Sequence, residues 1–247
     1  MKLKYTVKMS NKISLNYSPN FNPQKRKSKS IKFIIIHYTG MKNEKEAFKR
    51  LTDIKSSVSC HYFINQNGKI TVMVPDLYTA WHAGKSRWKK YKSLNQYSIG
   101  IELSNPGHEH GYKKFSSNQL KSLELILKYL IKKYQINPKN ILGHSDIAPF
   151  RKKDPGEKFP WSDLSKKKLC FWHTLNINNL KKFRNKKISS IKQDLFLKNL
   201  SKIGYDTSNL NKQKKYIINA FQRRFRPELI NSFVDEESYL ISKNIIS

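Results

Sequence analysis

Residues 143–156 have the sequence GHSDIAPFRKKDPG, a proline-broken loop that follows a short apolar run. The loop places His144 ten residues before Asp154, with Lys152 between them. An imidazole and a carboxylate on one loop can bind a common cation, but a catalytic zinc ion needs three protein ligands and an open fourth position for water. The loop therefore predicts two metal ligands and requires a third from elsewhere in the chain.

The third candidate ligand is His37, at the end of the most apolar run in the chain, IKFIIIH at residues 31–37. This run is apolar on both faces, which is typical of a central strand covered on both sides. His37, His144 and Asp154 together give the two-nitrogen, one-oxygen donor set of a catalytic zinc site. Asp146 is the nearest alternative carboxylate, and we expect it to cap the loop backbone instead.

A second strand carries a candidate catalytic carboxylate. Residues 97–103 alternate between an apolar face and a face with a glycine and a carboxylate, namely Ser98, Gly100 and Glu102. A glycine in a strand indicates that another group approaches the backbone closely. We therefore expect Glu102 to lie on an open floor that another group approaches closely, with a solvated strand carboxylate as the alternative.

The remaining pattern predicts an α/β fold. Asn67-Gly68 between two apolar runs is a strong hairpin signal, and residues 44–51 have the period of a short helix. Ser116 and Gln119 form a capping box before a long amphipathic helix that ends ahead of Pro138. Strands that alternate with helices favour a sheet flanked by helices.

The amino-acid composition changes after Trp161. Residues 166–187 are rich in Lys and Asn and are predicted to be a linker. Three helices are predicted beyond it, one from Ser190 to a stop at Gly204, one over 212–225 and one over 236–245. The predicted organisation is an irregular leader at 1–30, a catalytic domain at 31–165, the linker at 166–187 and a small three-helix domain at 188–247.

The His37 strand, the Glu102 strand, the sequence WHAG at 81–84 and the 143–156 loop resemble, in order and spacing, the zinc-dependent N-acetylmuramoyl-L-alanine amidases of the AmpD/AmiD type. Peptidoglycan recognition proteins belong to the same superfamily. The resemblance covers roughly residues 17–165. It implies a mixed central β-sheet flanked by helices, and Zn²⁺ held by His37, His144 and Asp154.

The resemblance also implies roles for other residues. Glu102 would position or deprotonate the attacking water, and Lys152 would stabilise the oxyanion. The substrate cleft would be lined by Trp81 and His82. His61 and His82 are alternative imidazole ligands, and from its place in the hairpin strand we expect His61 to be a wall residue of the cleft instead. The reaction implied is hydrolysis of the amide between N-acetylmuramic acid, or its 1,6-anhydro form, and L-alanine in peptidoglycan or soluble muropeptides.

The C-terminal helices carry a second resemblance. The sequences IGY at 203–205 and AFQRRFRP at 220–227 resemble the peptidoglycan-binding domain that follows the catalytic domain in AmiD-like amidases. We therefore expect residues 188–247 to form a peptidoglycan-binding-like domain. Packing against the catalytic domain is the alternative role for this unit.

The composition restricts the possible functions less than the motifs do. The formal net charge of +32 is mostly due to lysines spread along the chain. It is compatible with a biased composition, with attraction to acidic wall polymers, or with nucleic acid. The sequence has no helix-turn-helix, zinc-finger or RNP-like pattern, so no specific nucleic-acid partner is predicted. A non-catalytic peptidoglycan-binding module is the other alternative, and the intact ligand set argues against it.

The predicted compartment follows from what the sequence lacks. Two cysteines cannot form a disulfide framework. Residues 1–20 have no apolar core of signal-peptide length, and no run approaches membrane-spanning length. We therefore expect a cytoplasmic monomer, with export left open because the resembling family also has exported members.

Overall fold

The computed structural model describes residues 13–247, and a β-sheet lies at its centre. The strands are β1 (Ile13–Leu15), β2 (Phe21–Asn22), β3 (Phe33–Tyr38), β4 (Tyr62–Ile64), β5 (Ile70–Val72), β6 (Thr79–Ala80), β7 (Arg87–Trp88), β8 (Tyr91–Lys92), β9 (Ser98–Leu103) and β10 (Ile141–Gly143). In this part of the chain the main sheet has the order β1-β5-β4-β9-β3-β10. Its neighbours pair in parallel, except for the predicted β4–β5 hairpin. The predicted mixed sheet is confirmed.

The helices follow the predicted pattern closely. They are α1 (Glu44–Thr52), α2 (Ser117–Tyr134), α3 (His144–Ile147), α4 (Trp161–Lys166), α5 (Ile177–Lys181), α6 (Ser190–Ile203), α7 (Leu210–Phe225) and α8 (Glu236–Ile246). The capping box of α2 is formed as predicted, since the side chains of Ser116 and Gln119 each accept from the backbone of the other. Within residues 13–247 no helix has both the length and the apolar character needed to cross a bilayer.

The two apolar faces of β3 are buried in two different cores. Ile34 and Ile36 pack in a cluster with α2 residues such as Leu123. Phe33 and Ile35 lie in a second cluster that includes side chains of the C-terminal helices, among them Phe196, Leu200 and Phe221. The alternation along β3 thus gives a three-layer arrangement, with α2 on one face of the sheet and the C-terminal helices on the other.

The leader and the linker are more ordered than expected. Ile13–Leu15, inside the expected irregular leader, extends the sheet by pairing in parallel with β5, while residues 1–12 lie outside the described part. The expected linker at 166–187 contains α5 and buries Cys170 and Leu180. Eight of the 22 residues in this segment are apolar, close to the chain's average of 38%. The linker prediction rested on the many Lys and Asn and overlooked these apolar side chains.

A chain that ends at Lys187 should be prone to aggregation. Its loss of α6, α7 and α8 would expose Phe33, Ile35 and Leu142, which are at most 2% exposed in the full chain. Exposed apolar surface of that extent drives association. Size-exclusion chromatography and binding of a hydrophobic dye should show aggregates and raised dye fluorescence relative to the full chain. A monodisperse truncated chain with unchanged dye binding would contradict the shared core.

Candidate active site

The parallel pairing of three strands brings the predicted site residues to one edge of the sheet. His37 lies near the carboxyl end of β3 and is paired in register with Glu102 of β9. On the other side of β3, Gly143 of β10 is paired with Ile36, so His144 follows directly beside His37. Crevices at the carboxyl ends of parallel strands are where α/β proteins bind their ligands.

The three predicted ligand atoms converge on one point. His37 Nδ1 lies 3.0 Å from His144 Nδ1 and 3.0 Å from Asp154 Oδ2, and the last two atoms are 3.1 Å apart. All three residues are buried. In tetrahedral zinc coordination with bonds of about 2.0–2.1 Å, ligand atoms lie roughly 3.3 Å from one another. The three residues therefore have the spacing and chemistry needed to hold a metal ion.

The second nitrogen of His37 is engaged in a chain of hydrogen bonds that leads away from this point. The Ser98 hydroxyl donates to the Leu94 carbonyl (2.6 Å), so it accepts from His82 Nε2 (3.2 Å). His82 Nδ1 is then left to accept from His37 Nε2 at 3.0 Å. His37 Nδ1 consequently keeps a lone pair that faces His144 and Asp154, as a metal ligand must.

A hydrogen bond of the second ring nitrogen also fixes the tautomer of His144. Its Nε2 lies 3.1 Å from the carbonyl oxygen of Ala83 and donates to it, so Nδ1 carries the lone pair. Arg151 Nη2 donates to the same carbonyl at 2.7 Å and to that of Lys85 at 2.9 Å. The Arg151 guanidinium thereby holds the 83–85 segment against His144.

The protonation states suit a metal ligand set. Burial and the neighbouring His144 lower the pKa of His37 to about 4. Burial tends to raise the pKa of Asp154, but His144 and His37 outweigh it and hold this pKa well below its usual value. At neutral pH His37 is therefore neutral and Asp154 is ionised, which are the forms that bind a cation.

His144 and Asp154 lie in a cleft with a cavity volume of about 500 Å³. Glu102 and Lys152 line the same cleft. Glu102 Oε2 is buried and has no hydrogen-bond partner within residues 13–247. Burial, and then the charge of Asp154, raise the pKa of Glu102 to about 8, against a smaller opposite effect of Lys152. A carboxyl group with this pKa can exchange a proton near neutral pH.

The three predicted substrate-binding residues have different positions. Trp81 is partly exposed on the cleft wall, and its indole Nε1 donates to Asn22 Oδ1 at 2.7 Å. His82 reaches the cleft, but both its ring nitrogens take part in the chain of hydrogen bonds that orients His37. The close approach predicted at Gly100 is that of the His82 ring, because a Cβ there would lie 2.4 Å from it.

The assignment of His61 to the substrate cleft is corrected. Its side chain is completely buried and is not among the residues that line the cavity. His61 Nδ1 accepts from the backbone N–H of Gly100 at 2.9 Å, and Nε2 lies 3.1 Å from the carbonyl oxygen of Tyr78. Burial lowers its pKa to about 3, so the ring is a neutral structural group behind the cleft wall.

Sequence reasoning missed Ser98 and His108. Ser98 lies on the same strand face as Glu102, and only the strand alternation hinted at its position. His108, to which the sequence assigned no role, lines the cleft. Its Nδ1 lies 2.8 Å from Tyr38 Oη and its Nε2 lies 3.0 Å from Glu157. No local motif marks either contact, since each joins residues far apart in sequence.

Comparison with known proteins shows which family this chain is similar to. The family described as N-acetylmuramoyl-L-alanine amidase matches residues 27–157. The amidase AmiD of Escherichia coli K12 is 34% identical over 230 residues, which cover 87% of this chain and 82% of AmiD. The 1,6-anhydro-N-acetylmuramyl-L-alanine amidase AmpD of Haemophilus influenzae is 33% identical over an alignment of 166 residues, and the match covers 58% of this chain and 85% of AmpD.

Solved structures extend the similarity beyond the matched region. E. coli AmiD, in complex with its substrate anhydro-N-acetylmuramic acid-L-Ala-D-γ-Glu-L-Lys, superposes with a TM-score of 0.77 at 32% identity, over 88% of this chain and 89% of that one. AmpDh3 of Pseudomonas aeruginosa has a TM-score of 0.75 at 27% identity, over 91% and 93%. With the site geometry, these similarities establish that the chain belongs to the N-acetylmuramoyl-L-alanine amidase family.

Proposed function

We propose that this amidase is a zinc enzyme that hydrolyses the amide between the lactyl group of N-acetylmuramic acid and L-alanine. The observation that carries the zinc proposal is the arrangement at the sheet edge. Two imidazole nitrogens and a carboxylate oxygen lie 3.0–3.1 Å apart, while the other nitrogen of each imidazole is engaged elsewhere. His37, His144 and Asp154 would hold the ion. Zinc held by these residues would supply a Lewis acid and would make water acidic enough to react near neutral pH.

Glu102 and Lys152 are the proposed catalytic side chains. Glu102 would accept a proton from the attacking water and return it to the leaving nitrogen, so that water and amide become a carboxylic acid and an amine. A cation held by the ligand set would favour the ionised form of Glu102 and lower its raised pKa. The Lys152 ammonium would stabilise the negative charge that develops on the carbonyl oxygen.

The proposed substrate is a muropeptide or the stem of polymeric peptidoglycan. The cleft of about 500 Å³ has the flat face of Trp81 on one wall and the cationic side chains of Arg50 and Lys153 at its rim. These groups suit a sugar ring and the carboxylates of a stem peptide. The relative AmiD, whose structure was solved in complex with an anhydromuropeptide, supports the same substrate class for this chain.

The C-terminal helices remain a proposed peptidoglycan-binding-like unit. The structural matches to AmiD and AmpDh3 leave only about a tenth of this chain uncovered, so they include a large part of residues 188–247. This supports a shared two-part organisation, with the catalytic domain at 31–165 followed by the helical unit. Contacts of this unit with wall polymers would add avidity to cleavage.

Removal of the metal should abolish activity. Chelation is expected to stop the release of peptide from muropeptides, and added zinc should restore it. His144→Ala or Asp154→Ala should lose bound zinc and activity together, because each leaves only two ligands. Metal content by mass spectrometry and product analysis from defined muropeptides would check this.

His110→Ala is the matched control for those variants, since His110 lines the same cleft outside the ligand set. It should keep one zinc per chain. Full turnover by a sample verified to be free of metal would exclude the zinc mechanism.

Glu102→Gln should separate chemistry from binding. The variant preserves shape but cannot accept a proton, so we expect turnover to fall on the order of 10²–10⁴-fold while zinc content and substrate affinity persist. Glu109→Gln is the control, because Glu109 lines the same cleft. Steady-state kinetics on both variants would test the role, and near-normal turnover by Glu102→Gln would rule out Glu102 as the base.

The raised pKa of Glu102 also predicts a pH dependence of stability in the metal-free protein. Between its ordinary value of 4.5 and about 8, the folded chain retains a proton that the unfolded chain releases. Stability from this group is therefore present below about pH 4.5 and is lost as the pH rises to 8. Thermal melts in chelator should show that the melting temperature of Glu102→Gln rises relative to that of the wild type between pH 5 and pH 9. A difference that does not change with pH would contradict the raised pKa.

A further inference from the structure

The loop that carries two of the three ligands is held at both ends by adjacent arginines of α7. Near its start, Arg224 Nη1 donates to Asp146 Oδ2, which also accepts from the backbone N–H of Gly143 at 2.8 Å. Near its end, Arg223 Nε lies 3.6 Å from Glu157 Oε2, three residues beyond Asp154. Both arginines belong to the C-terminal helical unit, so this unit reaches the metal loop directly.

The contact at Asp146 is the more buried of the two. Arg224 and Asp146 are 3% and 1% exposed. Tyr205, also from the C-terminal unit, donates its hydroxyl to Asp146 Oδ1 at 2.8 Å. Arg224 Nη2 donates to the Ile141 carbonyl at 3.1 Å, and the guanidinium lies 4.1 Å from the ring centre of Trp161. Asp146 is thereby fixed on both carboxylate oxygens.

This contact bears on His144 because Asp146 determines where α3 begins. His144 is the first residue of this four-residue helix, and Gly143 before it is held by the Asp146 carboxylate. A helix this short has few bonds of its own, so its position depends on these external contacts. Metal affinity is sensitive to ligand displacements of a few tenths of an ångström.

We propose that Arg224 and Tyr205 are positioning residues for the metal ligand His144, so that the C-terminal helical unit is a structural part of the metal site. This inference rests on the proposed zinc function. Removing either partner leaves Asp146 buried with an unpaired charge or oxygen, and the loop then relaxes to find another partner. Loss of such supporting contacts typically weakens metal affinity by 10–100-fold.

The chain contains a matched control for this proposal. Arg226 follows Arg224 by two residues, is 1% exposed and pairs with two buried carboxylates, those of Asp235 and, at 3.6 Å, Glu237. Its other side-chain partner is Asn231, so its hydrogen bonds stay inside the C-terminal unit. Substitution of Arg226 should therefore destabilise the same unit without reaching the metal loop.

The experiment compares zinc affinity in Arg224→Met, Tyr205→Phe and Arg226→Met of the full chain, measured by competition with a chromophoric chelator well below the melting temperature. Arg224→Met should weaken zinc binding about 10–100-fold and Tyr205→Phe about 10-fold. Arg226→Met should bind zinc within about threefold of the wild type, although its metal-free melting temperature falls. Arg224→Lys, which retains one donor, should recover part of the lost affinity.

Two outcomes would overturn the proposal. If Arg224→Met and Tyr205→Phe bind zinc as tightly as Arg226→Met does, the contact serves stability alone. If zinc affinity in all three variants falls in proportion to the melting temperature, the effect is general destabilisation. Tyr205→Phe removes one hydroxyl from a packed ring and remains decisive should Arg224→Met fail to fold. A wild-type chain that binds no zinc would instead refute the proposed function itself.

Discussion

Strand β3 pairs in parallel with β9 on one side and β10 on the other, and the position of every proposed catalytic group depends on this pairing. The register sets His37 opposite Glu102 and brings His144 in directly after β10. A shift of one residue would turn His37 towards the other face of the sheet. Burial of both faces of β3 prevents that shift, because it would move Ile34 and Ile36 out of the core they share with α2.

The same burial ties the C-terminal helices to the site. Phe33, Ile35 and their neighbours pack against these helices. Each large apolar side chain buried in this way contributes about 1.5–3 kcal/mol to the stability of the fold. The helices thus cover a face of the catalytic sheet, and α7 in doing so brings Arg223 and Arg224 to the metal loop. A wall-binding role for the unit is compatible with this packing. The packing also explains why the unit cannot be a freely tethered module.

The sequence predicted most of the architecture, and the resemblance predicted which three candidate ligands lie together. The strand at 31–37 and the helix after Ser116 were predictable because their periodicity and caps are local. The proximity of His37, His144 and Asp154 was predictable only through the resemblance, since no local pattern specifies which strands pair. His61 was misplaced for a related reason, because a histidine beside a strand has the same sequence signal whether it faces a cleft or a core.

Contacts that join distant segments were the least predictable. The β1–β5 pairing rests on three residues at each strand, too few to produce a pattern. The expectation that Asp146 caps its own loop was correct, but its partners Arg224 and Tyr205 lie 78 and 59 residues away. A carboxylate that satisfies a local backbone N–H gives no indication in the sequence that it also binds a second unit.

Within the described residues, some arginines and carboxylates are buried, whereas the lysines remain at the surface. Among residues 13–247 the buried carboxylates include Asp146 and Asp235, whose cationic partners are the arginines at 224 and 226, and no lysine is buried. Arginine suits such pairs because its planar group forms several directed hydrogen bonds and is weakly hydrated. Each such pair is neutral, so the net charge of +32 comes mainly from the lysines, and those within residues 13–247 are partly or fully exposed. Salt screens those lysines over about 10 Å, whereas the buried pairs and the ligand set are screened much less. The electrostatics of the site are therefore set by a few buried partners, and attraction to anionic polymers is a separate property of the surface.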